Sequence, residues 1–179
     1  MWDKKGLCDF LEANGIDTAL YGVEEAKSVD DLLRELQKGE ATLARRVVRE
    51  ISVVTVNVFA DVGEKRHRLV EIKQQFNDGR IRERRQLPMS LSETMLPGEA
   101  VLDALARALK EELQVGQYQI LGDVTDSSET MDSPSFPGIL TVYHLHRVTI
   151  LLHDSEYRAE GYQETESDLT TYFGWTLVQ

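Results

Sequence analysis

The run Arg45 to Ala60, RRVVREISVVTVNVFA, constrains the fold more than any other stretch. Its residue types favour an extended chain. Val54, Val56, Val58 and Ala60 then point one way, and Ile51, Val53 and Phe59 the other. A strand that is apolar on both faces must be covered on both. That is the situation of the middle layer in an α/β/α sandwich.

A helix is encoded at Pro97-Gly98-Glu99 and in the residues after it, AVLDALARALKEELQV, Ala100 to Val115. Leu102, Leu105, Leu109 and Leu113 recur at three and four residues, one apolar stripe at helical period. Ala100, Ala104, Ala106 and Ala108 supply the strongest helix former. Pro97-Gly98 punctuates the start, and Glu99 sits where a carboxylate favours the positive helix end. Glu99, Asp103, Arg107 and Glu111 follow at intervals of four and line one charged ridge. Glu112 leans toward the apolar side, where a carboxylate needs a cation or a hydrogen-bond donor. Grouped acidic oxygens suit a hard cation such as Mg²⁺. A solvated helix face laced with ion pairs is the alternative for the ridge.

These residues resemble the signature box of the Nudix hydrolases, G-x5-E-x7-R-E-U-x-E-E-x-G-U, where U is aliphatic. Glu99 falls on the first glutamate, Arg107 on the arginine, Leu109 and Val115 on the two aliphatic positions, and Glu111 and Glu112 on the paired glutamates, so six of nine specified positions match. Leu87-Pro88 resembles the strand end that precedes the family's glycine loop. The chain departs from the box at Glu93 and Gln114, where glycines belong, and at Ala108, where the family has a further metal-holding glutamate. The spacing from Pro88 to Gly98 suggests an insertion in that loop.

The resemblance implies a Nudix-like α/β/α sandwich with a mixed sheet. It implies Mg²⁺ or Mn²⁺ held by Glu99, Glu111 and Glu112, with Arg107 orienting the glutamates. A catalytic base in this family often comes from a loop outside the box. Glu164 and Glu166 both fit, and Glu164 completes the catalytic set of Arg107, Glu111 and Glu112. The implied activity is metal-dependent hydrolysis of a nucleoside diphosphate linked to another moiety. The alternative, motivated by Ala108 and the altered glycine loop, is a domain that binds a nucleotide or a protein without hydrolysis.

Around this centre the chain reads as a helical extension, residues 1–44, and a main domain, residues 45–179. In the extension Leu7, Cys8, Phe10 and Leu11 form one apolar face that Asn14-Gly15 stops. Ile16 to Tyr21 reads as a short strand. Ser28, Asp30 and Asp31 start a second helix, with Leu32, Leu33 and Leu36 as its core face and Lys38-Gly39 as its end. Packing, covering a site and forming a homodimer contact are the roles open to it. Lys65 to Phe76 and Arg80 to Leu87 read as strands joined at Asn77-Asp78-Gly79, a strong hairpin signal. Residues 63–86 carry eight cations against four carboxylates, a net +4, which leaves −15 on the rest of the chain. Arg80, Arg82 and Arg84 alternate onto one strand face and suit phosphate; an edge hairpin guarded by charge is the alternative.

Tyr118 to Thr125 reads as a strand, Asp126 to Gly138 as a loop and Gly138 to Leu152 as a long strand with His144 and His146 on one face. Asp154 to Asp168 reads as an acidic, irregular segment, and Thr170 to Val178 as a closing strand. The net charge of −11 disfavours nonspecific nucleic-acid binding by the whole surface, and the resemblance implies a small nucleotide-type ligand. One cysteine excludes an internal disulfide and suits the reducing cytoplasm. The first residues lack a signal-peptide core, and an organellar location would follow if a transit peptide had been removed. No apolar run is long enough to span a membrane.

Overall fold

A computed structural model describes residues 2–23, 26–44, 47–84 and 89–178. Leu87-Pro88, the continuation of the second hairpin strand through Arg85 and Gln86, and the Arg45-Arg46 start of the long strand lie outside the described residues. The fold is mixed α/β. In chain order it contains helices α1 (Lys4–Ala13) and α2 (Val29–Lys38), then strands β1 (Ala41–Ala44), β2 (Val48–Val62), β3 (Lys65–Phe76), β4 (Ile81–Glu83) and β5 (Leu91–Thr94). Helix α3 (Val101–Ala108) follows, then β6 (Tyr118–Ile120), β7 (Thr125–Asp132), β8 (Leu140–Leu152), β9 (Tyr162–Thr165) and β10 (Leu169–Leu177). The strands form one mixed sheet in the order β6-β8-β2-β3-β10-β9, with β1 and β5 also on β2, β4 on β3 and β7 on β8. The chain divides into two compact units that alternate along the sequence, and β2 and β8 supply residues to both.

The first unit comprises Met1–Val53, Thr94–Glu99 and Asp126–Leu145. Helix α1 begins where the Asp3 carboxylate accepts from the Gly6 N–H at 2.7 Å. Helix α2 has a full capping box between Ser28 and Asp31, and ends at Gly39 with φ 75°. The faces read from the sequence are the faces buried: Leu7, Leu11 and Leu32 pack with Tyr21, Val47, Phe136 and Ile139. Beside them Arg49, itself buried, donates to Glu35 and lies 5.1 Å from the Phe136 ring centroid. Residues 16–21 form no strand. The Asp17 carboxylate accepts from the Ala19 N–H at 3.0 Å and winds Thr18–Leu20 into a 3₁₀ turn.

The second unit comprises Val54–Glu93, Ala100–Thr125 and His146–Gln179. Val54, Val56, Val58 and Ala60 are buried along β2. Strand β3 has the bounds expected, and its hairpin with β4 pairs Lys73 with Glu83, Gln74 with Arg82 and Gln75 with Ile81. Strands β2 and β3 pair from Phe59/Arg68 to Val62/Lys65. Beyond that pairing the fully buried Ser90 accepts from the Val58 N–H at 2.9 Å and donates to the Leu69 carbonyl at 2.7 Å. A single hydroxyl thus bridges β2 and β3 just before β5 begins.

Several expectations need correction. The stripe on α3 is Ala104, Leu105, Ala108, Leu109 and Leu113; Leu102, in the first turn, is 49% exposed. The helix does not run evenly to Val115 but passes at Leu109 into a π-helical turn, Leu109–Leu113. Asp126 to Gly138 is not all loop, because β7 pairs with β8 there. Nearly every β7 side chain is exposed, so no apolar alternation marks it. Asp154 to Asp168 is not irregular throughout. Strand β9 forms within it because antiparallel pairing with β10 satisfies its backbone whatever its side-chain charge. The strand after α3 stops at Ile120.

Candidate functional site: a glutamate-lined pocket

The pocket lies wholly in the second unit. Row 104–108–112 of α3 and the π turn points inward, and its first two members, Ala104 and Ala108, are fully buried. Glu112 is the third member, one turn further on, so the packing that buries the alanines also takes its carboxylate from water. The turn closes where Gln114 adopts φ 57° and ψ 35°, with the Gln114 N–H donating to the Lys110 carbonyl and the Val115 N–H to the Leu109 carbonyl. That left-handed conformation is why a glycine suits this position.

Strand β3 adds Glu71 through an irregularity. Its register with β10 steps from Lys73/Tyr172 to Glu71/Phe173, so one residue of β3 is extra. The bulge resets the alternation and puts Glu71 and Gln74 on one face, both lining the cavity. Strand β5 contributes Glu93, β9 contributes Glu164, and Glu166 follows just beyond. The resulting cavity is about 160 Å³ and is lined by six glutamates, Glu71, Glu93, Glu111, Glu112, Glu164 and Glu166, together with Arg84. Gly161 makes the β9 arm possible. Its φ is +84°, and a Cβ there would lie 2.0 Å from the Phe173 carbonyl oxygen. The indole of Trp175 donates to the Arg158 carbonyl at 2.7 Å and ties down the same turn.

Two arginines partly compensate the charge. Arg107 Nη1 donates to Glu93 Oε1 at 2.6 Å and to Glu111 Oε2 at 3.4 Å. Arg84 Nε donates to Glu71 Oε1 at 3.2 Å. Burial pushes the Glu112 carboxyl up to about 9, and the charges of Glu164, Glu93, Glu71 and Glu166 add to the effect. Burial, then Glu166, Glu93, Glu111 and Glu71, pushes Glu164 up to about 7. Glu71 is raised by burial, against the opposing pull of Arg84 and Arg82. A pocket of this kind holds protons at neutral pH or accepts a cation in their place.

The remaining sequence-derived candidates fall as follows. Arg107, Glu111, Glu112, Glu164 and Arg84 belong to this one neighbourhood. Glu99 lies in the first unit, where its carboxylate accepts from the Leu96 N–H at 2.8 Å. Arg80 Nε donates to Asp78 Oδ2 at 2.7 Å, and Arg82 Nη1 reaches Gln74 Oε1 at 3.5 Å. His144 Nδ1 lies 3.2 Å from Ser128 Oγ. Glu71 and Glu93 were not singled out from the sequence as site residues. A bulge hides the first, and the second stands at a box position that normally carries glycine.

Beside the pocket, sharing Glu111, Glu164 and Phe173 with it, is a larger cleft of about 760 Å³. Arg158, Tyr162, Gln163, Thr165, Tyr172 and Gln114 are among its walls. Its aromatic and amide groups are of the kind that recognise a base and a sugar.

No protein-family model matches the chain, and no curated protein matches it. Solved structures do. An Ap4A hydrolase from C. elegans is 14% identical, with 71% of this chain and 80% of that one covered and a TM-score of 0.37. The NUDIX domain of Shewanella oneidensis NrtR, in complex with ADP ribose, is 13% identical, with 72% and 73% covered and a TM-score of 0.40. The apo T. brucei MERS1 protein is 15% identical, with 92% and 70% covered and a TM-score of 0.31. The resemblance to Nudix proteins read from the sequence is thus met again among structural neighbours. At these identities and TM-scores the likeness carries no argument about function, which rests on the pocket.

Proposed function

We propose that the chain is a divalent-metal-dependent hydrolase of a nucleoside diphosphate linked to another moiety. The observation that carries this reading is the pocket of six glutamates whose burial and mutual repulsion raise Glu112 and Glu164. All-oxygen donors and uncompensated negative charge suit Mg²⁺ or Mn²⁺. Of the three carboxylates that the box assigns to the ion, Glu111 and Glu112 line the pocket and would hold it, whereas Glu99 lies in the first unit. Among the described residues no three acidic, histidine or cysteine side chains already converge in ligand geometry, so closing the set requires side-chain rotation. A bound ion supplies neutralisation of phosphoryl charge and activation of water. Arg107 holds Glu93 and Glu111 in place, and Arg84 presents a guanidinium at the pocket wall for a phosphate oxygen. Glu164, at about 7, is poised to accept a proton near neutral pH. The neighbouring cleft takes the nucleoside.

Phosphate release from nucleoside diphosphate derivatives and dinucleoside polyphosphates, assayed with Mg²⁺ and Mn²⁺, tests the reading. Turnover that needs metal and falls at least ~10²-fold in Glu112→Gln is expected. Turnover unchanged in that variant would remove Glu112 from the mechanism.

A second reading, nucleotide binding without hydrolysis, draws on one specific observation. Ala108 is fully buried where the box has a carboxylate, one turn before Glu112. It requires saturable nucleotide binding by calorimetry together with no metal-dependent turnover across the same panel. Under both readings the partner is a small nucleotide-type molecule. The free Cys8 agrees with a cytoplasmic setting. Among the described residues no helix is long and apolar enough to cross a membrane.

A further inference from the structure

The arginines of the β3–β4 hairpin do more than decorate an edge. The pairing of Gln74 with Arg82 puts Arg82 on the face of β3 that carries Gln74 and, past the bulge, Glu71. Arg80 and Arg84 share that face by the alternation of the strand. The side chains agree with the backbone. The guanidinium groups of Arg80 and Arg82 lie 4.7 and 5.4 Å from the centroid of the one Phe76 ring. Arg82 reaches Gln74, a wall of the pocket, and its charge acts on Glu71. Arg84 is itself a wall of the pocket. Guanidinium groups therefore run outward from the glutamates in the order Arg84, Arg82, Arg80. Alternate residues on a strand are about 7 Å apart, so the row spans roughly 14 Å.

This row lies on the strand that flanks β3 away from the large cleft. Strand β4 flanks β3 on one side and β10 and β9 lie on the other; the cleft is built on β9 and β10. A ligand with its nucleoside in the cleft, where Arg158 is one wall, and one phosphate at the glutamates would meet Arg82 and Arg80 beyond that phosphate. We propose that the site selects a phosphate chain of three or more groups, the outer phosphates lying along Arg82 and Arg80. This rests on the reading given under Proposed function and deepens it, from a diphosphate linked to any moiety to a polyphosphate. The ion pair of Arg80 with Asp78 is exposed on both sides, so its exchange for a phosphate contact is easy. Stacking on Phe76 holds the two planar groups in place before the ligand arrives.

Calorimetric titration of the full chain with pyrophosphate, tripolyphosphate and tetrapolyphosphate, in Mg²⁺ at low ionic strength, tests this. The matching series ADP, ATP and adenosine tetraphosphate separates a nucleoside polyphosphate from a bare inorganic chain. Affinity is expected to rise about tenfold from two phosphates to four. The rise is expected to vanish in Arg80→Gln/Arg82→Gln, which keeps the affinity for pyrophosphate, and to survive in part in Arg80→Lys/Arg82→Lys. Equal affinity along the series, or a rise that survives the glutamine pair, overturns the assignment while leaving the hydrolase reading intact. Failure of pyrophosphate itself to bind with metal present overturns both.

Discussion

Glu112 has the most to lose from its surroundings. Its carboxyl is raised from the ordinary 4.5 to about 9 by burial and by four neighbouring carboxylates. The folded protein therefore keeps a proton that the unfolded chain releases near pH 4.5. Between those values the native state binds more protons than the unfolded state, so stability falls as pH rises through the window. The contribution is intact below about pH 4.5 and gone above about pH 9. Glutamine mimics the protonated form without titrating. Glu112→Gln is expected to match the parent in thermal stability at pH 5 and to exceed it by several degrees at pH 9. Melting curves across that range are the check, and parallel curves for both proteins would show that Glu112 does not titrate there.

At the scale of elements, the π turn and the bulge decide the geometry, and neither was legible in the sequence. Gln114 stands where the box places glycine, and its φ of 57° shows why the position asks for one. A β-carbon in that conformation costs about 1–2 kcal/mol, of which the looser unfolded chain of a glycine takes back part. Gln114→Gly is therefore expected to stabilise the protein by roughly 0.5–1 kcal/mol in urea unfolding, with an unchanged slope. Helices α1, α2 and α3, strand β3 and the hairpin were readable because each has its own local signal: caps, an apolar period, or Asn-Gly-type turn chemistry. Strands β7 and β9 were not readable, because neither alternates. β7 is exposed along nearly its whole length and β9 is acidic, and both exist through pairing with a neighbour. Of the site, Arg107, Glu111 and Glu112 were legible from their spacing on one helix. Glu71 and Glu93 were not, because only the bulge in β3 and the entry of β5 bring them to the pocket.

For the whole molecule, a net charge of −11 is unevenly spread, with six carboxylates gathered on one cavity. Any salt relieves general self-repulsion in such a chain, so stabilisation by a divalent salt alone says little. The informative quantity is the excess stabilisation by Mg²⁺ or Mn²⁺ over NaCl at equal ionic strength. If the pocket holds the ion, binding to the folded state alone contributes RT ln(1 + [L]/Kd), about 1.4 kcal/mol at ten times Kd, a rise of a few degrees in Tm. The ion competes with the protons on Glu112 and Glu164, so the excess is expected to be small at pH 5.5 and larger at pH 8.5. Glu111→Gln/Glu112→Gln removes both proposed ligands in the pocket without cutting a cavity, and should abolish the excess while keeping the ordinary salt effect. An excess that persists in that variant would place the cation elsewhere on the acidic surface, and the pocket would then be a store of strain relieved by protons alone.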